Sequence, residues 1–435
     1  MDDKKSLKLS VCSAIDSVSS AITDIGDDIL AHPELGFREE RTAAIVADYL
    51  RSLGLEVRTG LAVTGVKATI KGSKPGPNVA IIGELDSVMC IAHPHADKTT
   101  GAAHACGHNA QIAYLLAAAA GLVKSGAADE MCGSVTIFAV PAEECIDYEY
   151  RRVLVDSGKI VLPYGKPELI RMGEFDDVDM AMMLHANPAN HSAGFNIGIT
   201  SLGFISKEVE FFGKASHAGA APHEGINALN AAMLAMMGFH VNRETFRDSD
   251  KVRVHPIIVD GGEVINTVPD HVRMDLQVRA ASIPAMQDAA AKIDRSIEGA
   301  CMTVGAKCRI DTTPGYLPLM ESAALNDAFA DTVTELFGEG YAIREDVDFG
   351  STDMGDLSQI MPAIHSMYGG FSGGLHRPNF SITDKAAAYI YPAKALAATA
   401  LGLLLDDAAG AKRVLESYVP GLTKEEYLRI VTAKQ

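Results

Sequence analysis

Val135-Thr136-Ile137-Phe138-Ala139-Val140 runs straight into Pro141-Ala142-Glu143-Glu144, and the reading of this stretch decides the fold. Its first part is apolar on both faces and rich in β-branched residues, as expected of a strand buried between helices in a parallel sheet. Proline ends it, and two adjacent carboxylates follow at the carboxyl edge of the predicted sheet, where open α/β sheets bind their ligands. Moving outward, Val79-Ala80-Ile81-Ile82 has the same grammar, and Met180-Ala181-Met182-Met183-Leu184 reads as a third strand. Ala110 to Val123 is longer and rich in Ala and Leu, a buried helix. Strands alternating with helices predict an α/β fold on a mostly parallel sheet.

Between about Gly198 and Pro314 the pattern changes. Strands are predicted over 204–212, 252–259, 272–279 and 307–312, with helices over 227–239 and 284–302. Val272, Met274, Leu276 and Val278 alternate with Arg273, Asp275, Gln277 and Arg279, the period of a strand with one wet face. The order β-α-β-β-α-β predicts a ferredoxin-like α+β domain. The α/β grammar resumes near Tyr316 and closes with an Ala-rich helix near Ala393 to Leu404. The expectation is an α/β catalytic domain in two parts, 1–197 and 315–435, interrupted by a satellite domain at 198–314.

The 435 residues, 48% of them apolar, suit two or three ordinary domains. With 38 Lys plus Arg against 56 Asp plus Glu, the net charge of −18 disfavours a nucleic-acid partner. Charge near Met1 and polar breaks after it argue against a secretory signal and for a cytoplasmic protein. The most apolar runs, Ile112 to Val123 and Ala395 to Leu405, are too short to span a bilayer, so no membrane partner is expected. The 7 cysteines are an odd, scattered set, read as thiols with one or two available as ligands.

Cys106-Gly107-His108 places a thiol and an imidazole before the helix that starts near Ala110, where both can face one point. The alternative is a buried cysteine beside a capping histidine. Of Glu143 and Glu144, one can bind a cation while the other faces its water, or both can be solvated loop acids. His185 follows the third strand, and His376, with Arg377 beside it, stands in a glycine-rich loop able to approach a site. Each has an ordinary structural reading on its own. Together, one thiol, three imidazoles and two carboxylates form a donor set suited to Zn²⁺ or another first-row divalent ion, with a spare carboxylate as general base.

At this point the sequence resembles the zinc metallopeptidase and amidohydrolase family that includes aminoacylases, hippurate hydrolase, auxin-conjugate hydrolases and aminobenzoyl-glutamate hydrolase. The resemblance spans nearly the whole chain. It rests on HACGH at 104–108, PAEE at 141–144, LHA at 184–186, ASHAGAAPHEGINAL at 215–229, GGEVINTVPD at 261–270 and GSTDMGD at 350–356. It implies metal ligands at Cys106, His108, Glu144, His185 and His376, with Cys106 a bridging or primary ligand of one or two divalent ions, Zn or Mn. Glu143 would take a proton from the activated water and pass it to the leaving nitrogen. His217 and Asn266, from the satellite domain, would act at the catalytic centre of a neighbouring subunit. Arg279 would clamp a substrate carboxylate, with Arg377 as a further substrate-binding residue. Asp86 and Asp353 are candidates to orient ligands.

The implied activity is hydrolysis of a C–N bond in a small N-acyl amino acid or aryl amide, by a homodimer or larger homo-oligomer paired through the satellite domain. Two rivals stand beside it: hydrolytic deamination of an activated aromatic amino acid such as a substituted anthranilate, and a non-catalytic metal- or ligand-binding protein on a degenerate scaffold. The chain departs from the auxin-conjugate branch at Asn109, Ala110 and Gln111, where that branch has a carboxylate and an imidazole. The aromatic and cationic residues of Cys145 to Arg152 suggest a pocket for an aromatic or acidic substrate.

Overall fold

The computed structural model describes residues 2–189, 194–344 and 348–432. The chain forms two compact units: one holds the segment up to Ile199, Met320–Asp348 and Asp356–Lys424, and the other holds Thr200–Leu319, Phe349–Gly355 and the segment from Glu425 onward.

The first unit is organised by an eight-stranded mixed sheet in the order Val57–Leu61, Gly65–Lys71, Cys132–Val140, Lys74–Glu84, Met180–Ala186, Ala363–Tyr368, Phe195–Asn196, Ala342–Ile343. The four strands from Cys132–Val140 to Ala363–Tyr368 run parallel, so the strands read from the sequence form its buried centre. The margin is antiparallel because Val57–Leu61 and Gly65–Lys71 are joined by a turn too short for a crossover; Ala62 and Val63 take positive φ of 43° and 78° to make it.

Helix His108–Lys124 is buried over nearly its whole length against this sheet, and the helices Asp2–Ala31 and Tyr391–Ser417 pack on it. The N-terminal helix was not anticipated; it buries Val11, Ile15, Ile22 and Ile29, a helical stripe interrupted in sequence by serines. The segment Ala386–Ser417 proves longer than its apolar run suggested, and by length and composition alone it could cross a membrane. However, 83% of its most apolar window is buried inside the protein, and non-helical backbone at Leu405–Ala408 kinks it.

In the second unit the sheet order is Arg253–Asp260, His271–Ala280, Gly203–Phe212, Lys307–Pro314, antiparallel throughout, which is the ferredoxin-like arrangement. Val272, Met274, Leu276 and Val278 are buried with the helices Ala228–Val241 and Ile283–Val304, as the alternation predicts. Asn227 and Ser282 cap those helices by accepting from the backbone N–H groups of Asn230 and Ala285.

Candidate metal centre

Three neighbouring parallel strands end together and deliver the acids and one imidazole. Glu84 pairs in register with Val140, so the chain beyond Lys74–Glu84 brings Asp86 beside Glu143 and Glu144. Ala142, at φ 53°, turns the chain after the strand, and its N–H donates to buried Glu39 at 2.8 Å. His185 stands near the end of Met180–Ala186. Cys106 and His108 flank Gly107, whose φ of 88° favours glycine and whose added Cβ would lie 2.8 Å from the Ala186 Cβ. The loop carrying His376 is tied down by its own N–H, which donates to the Ala105 carbonyl at 2.8 Å.

The donors converge. Cys106 Sγ lies 3.3 Å from His185 Nε2 and 3.2 Å from His376 Nε2. His376 Nε2 is also 3.2 Å from Glu144 Oε1, which is 4.0 Å from His108 Nε2. Three groups have ligand atoms within 4.8 Å of one another: Cys106, His108 and His185; Cys106, Glu144 and His376; and Glu84, His108 and Glu143. Two of them share the sulfur.

A cation fits these residues. Among the described residues, His108 Nε2 is buried without a hydrogen-bond partner, a costly arrangement unless something else meets it. His108 turns Nδ1 to the Asp86 carbonyl at 3.0 Å, and His185 turns Nδ1 to the Ala186 carbonyl at 3.0 Å. A proton on each Nδ1 leaves each Nε2 lone pair facing the cluster, as metal-binding histidines are usually held. Asp86 Oδ2 accepts from the Glu144 N–H at 2.8 Å while Oδ1 stands 3.3 Å from His108 Nδ1, so one side chain orients two donors.

The electrostatics show where positive charge is favoured, and at His108 a proton competes with an ion for Nε2. Burial, reinforced by Glu144 and Glu143, pushes the Cys106 thiol well above its ordinary value, so a thiolate there needs a cation. Burial and then His108 push His185 down to about 4, keeping it neutral and able to ligate. For His108 burial pulls the other way, but Glu84 and Asp86 outweigh it and raise the pKa to about 10. Burial likewise opposes the lowering of Glu144, which His376 nonetheless achieves.

The structure thus gathers Cys106, His108, Glu143, Glu144, His185 and His376 in the first unit. Arg377 is exposed in the same loop as His376. The remaining candidates lie in the second unit. His217 is exposed, and its Nδ1 accepts from the N–H groups of Gly219 and Ala220 at 3.1 and 3.0 Å; the nearby Asn266 carbonyl accepts from the Ala218 N–H. Arg279 donates to Ser351 at 2.9 Å and Gln277 at 2.7 Å and stacks over Phe204. Asp353 is fully buried.

Two features escaped the sequence reading. Glu84 belongs to the cluster, with Lys166 on one oxygen at 2.6 Å and Gln111 on the other at 2.8 Å. The signal available was a carboxylate at the end of a strand already identified. Within the Cys145 to Arg152 stretch, Arg151 is buried and donates to the carbonyls of Pro163 and Glu144, stacking over Phe37 and Tyr164. It braces the backbone that carries Glu144.

A sulfur, imidazole and carboxylate centre at the edge of an α/β sheet defines a divalent-metal hydrolase, here one acting on C–N bonds. The chain belongs to peptidase family M20/M25/M40, whose model matches residues 80–401. It is 29% identical over 426 residues to Xaa-Arg dipeptidase of Mus musculus, covering 92% of this chain and 90% of that protein. It is 29% identical over 315 residues to a chain of the p-aminobenzoyl-glutamate hydrolase of Escherichia coli, covering 70% of this protein and 61% of that one. Its fold is similar to that of a dinuclear metal binding peptidase of the M20 family from Bacillus subtilis, with a TM-score of 0.71 at 22% identity, covering 89% of this chain and 99% of that one.

Proposed function

We propose that the protein hydrolyses the amide bond of a small N-acyl amino acid, with dipeptides and aryl amides of amino acids as the substrate class. The observation that carries this reading is the sharing of Cys106 Sγ by two donor groups, one with His108 and His185 and one with Glu144 and His376. Divalent ions held there, Zn or Mn, supply a Lewis acid for the scissile carbonyl and lower the pKa of water toward neutrality. Glu143 takes the proton from water and returns it to the leaving nitrogen, so that one amide and one water give an acid and an amine. At 8% exposure Glu143 is shielded from bulk water, which strengthens its interactions with charge that develops at the reacting carbonyl. Half of the His376 side chain is exposed, 52%, which supports approach of substrate from that side.

The activities in the names of the mouse and Escherichia coli relatives support a substrate that ends in an amino-acid carboxylate. Arg377, beside His376, and Arg279, with its forked donors, are the proposed carboxylate partners. His217 and Asn266 are proposed to serve the centre of a second copy. Self-association through the second unit is supported by its exposed Met233, Met237 and Val241 on one helix and Ile257 on the edge strand Arg253–Asp260.

The test is turnover of a panel of dipeptides, N-acyl amino acids and aminobenzoyl amides, with products separated by mass. An acid and an amine are expected, with turnover abolished by chelation and restored by a divalent ion. Ammonia released from an aromatic amino acid, or no turnover by metal-loaded protein across the panel, overturns the proposal.

A further inference from the structure

Glu84 is held at both oxygens by groups from elsewhere in the fold. Oε1 accepts from the fully buried Lys166 ammonium at 2.6 Å, and Oε2 accepts from Gln111 Nε2 at 2.8 Å, while the Glu84 N–H donates to the side-chain oxygen Oε1 of Gln111 at 3.0 Å. Lys166 is itself fixed in place: it follows Gly165, where an added Cβ would lie 1.6 Å from the Pro141 carbonyl oxygen, so its helix begins hard against the strand end that leads to Glu143. Such bracing exceeds what a surface carboxylate receives. The oxygen that Gln111 holds stands 3.0 Å from His108 Nε2, both side chains being wholly buried. That nitrogen has no hydrogen bond among the described residues, and its ring partner Nδ1 is turned to Asp86.

Two lone-pair atoms buried this close repel each other unless a proton or a cation lies between them. If His108 binds an ion through Nε2, that nitrogen carries no proton, and the ion itself must be what reconciles it with Glu84. We propose that Glu84 is a further ligand of the ion bound through His108 Nε2, and that Lys166 and Gln111 fix the carboxylate in the ligating position. Lys166 also withdraws charge from Glu84, so the donor set gains a ligand atom without the affinity of a bare carboxylate. This arrangement brings a carboxylate to the centre from a strand end, whereas Asn109, in the helix His108–Lys124, turns its side-chain amide to the Gly26 carbonyl and the Tyr389 hydroxyl.

This inference rests on the metal-centre reading, and the experiment separates the two. Metal-free protein is titrated with Co²⁺, whose visible bands report coordination geometry and whose thiolate charge-transfer band reports Cys106. The wild type is compared with Glu84→Gln and with Glu84→Gln combined with Lys166→Gln, the second leaving no unbalanced buried charge. Both variants are expected to keep the thiolate band, to bind one equivalent about 10- to 100-fold more weakly, and to shift the visible bands. Affinity within twofold of wild type and unchanged bands, in either variant that folds, overturn the role of Glu84 alone. A metal-loaded crystal structure of the wild type decides the matter without any variant: a Glu84 oxygen within about 2.2 Å of the ion is expected, and one beyond about 3 Å from it overturns the assignment. Absence of Co²⁺ binding by the wild type overturns the metal centre itself.

Discussion

Glu143 and Glu144 leave the same strand end, yet their surroundings differ. Glu144 is held between His376 and the Asp86-oriented backbone, whereas Glu143 groups with Glu84 and His108. Glu143→Gln is therefore expected to lower kcat by about 10²- to 10⁴-fold with metal content unchanged, and Glu144→Gln to lower metal content first; elemental analysis beside kinetics checks both, and equal metal loss in the two variants contradicts the division of roles. These acids were legible in the sequence because a strand, a proline and two adjacent carboxylates are local signals. Glu84 was not, because its meaning depends on Lys166, 82 positions away, and on His108 across the strand end. The place of Arg151 was not legible for a related reason: sequence shows a cation among aromatics but not that its guanidinium donates to the carbonyls of Pro163 and Glu144.

At the scale of elements, the centre depends on how closely strand ends, helix starts and loops approach one another. Gly165 is the tightest case. Gly165→Ala drives a methyl into the Pro141 carbonyl, so the helix Gly165–Met172 must shift and take Lys166 with it. The expected outcome is a fall in Tm of several degrees, since steric overpacking costs about 1 to 3 kcal/mol, together with weaker metal binding; thermal melts and a chelator competition measure the two, and an unchanged Tm contradicts the packing argument. The parallel strands and the second unit's period-two strand were readable because burial imposes a period on sequence. The helix Asp2–Ala31 was not, because its buried stripe is narrow and broken in sequence by Ser, Thr and Asp.

For the whole molecule, the first unit binds its acids so deeply that stability depends on pH. Burial raises Glu321 from its ordinary value of 4.5 to about 7, against hydrogen bonds from Asn326 and the His365 N–H that favour the charged form. A raised carboxyl pKa means the folded chain binds the proton more tightly than the unfolded chain. Its stabilising contribution is complete below about 4.5 and is lost as pH rises through about 7. Glu321→Gln, which cannot ionise, is expected to lose less Tm than the wild type between pH 5 and pH 8; parallel curves contradict this. The mostly parallel sheet and the ferredoxin-like sheet were legible as a change in strand and helix grammar, but the antiparallel margins of the large sheet were not, since short edge strands carry too few residues to declare a direction. The central claim is that Cys106 sits between metal ions while Glu143 handles the proton. Anomalous scattering from crystals of the metal-loaded protein tests it most directly: two peaks flanking the Cys106 sulfur, with His108 and His185 on one and Glu144 and His376 on the other, are predicted, and metal bound away from Cys106, or no metal peak at all, contradicts it.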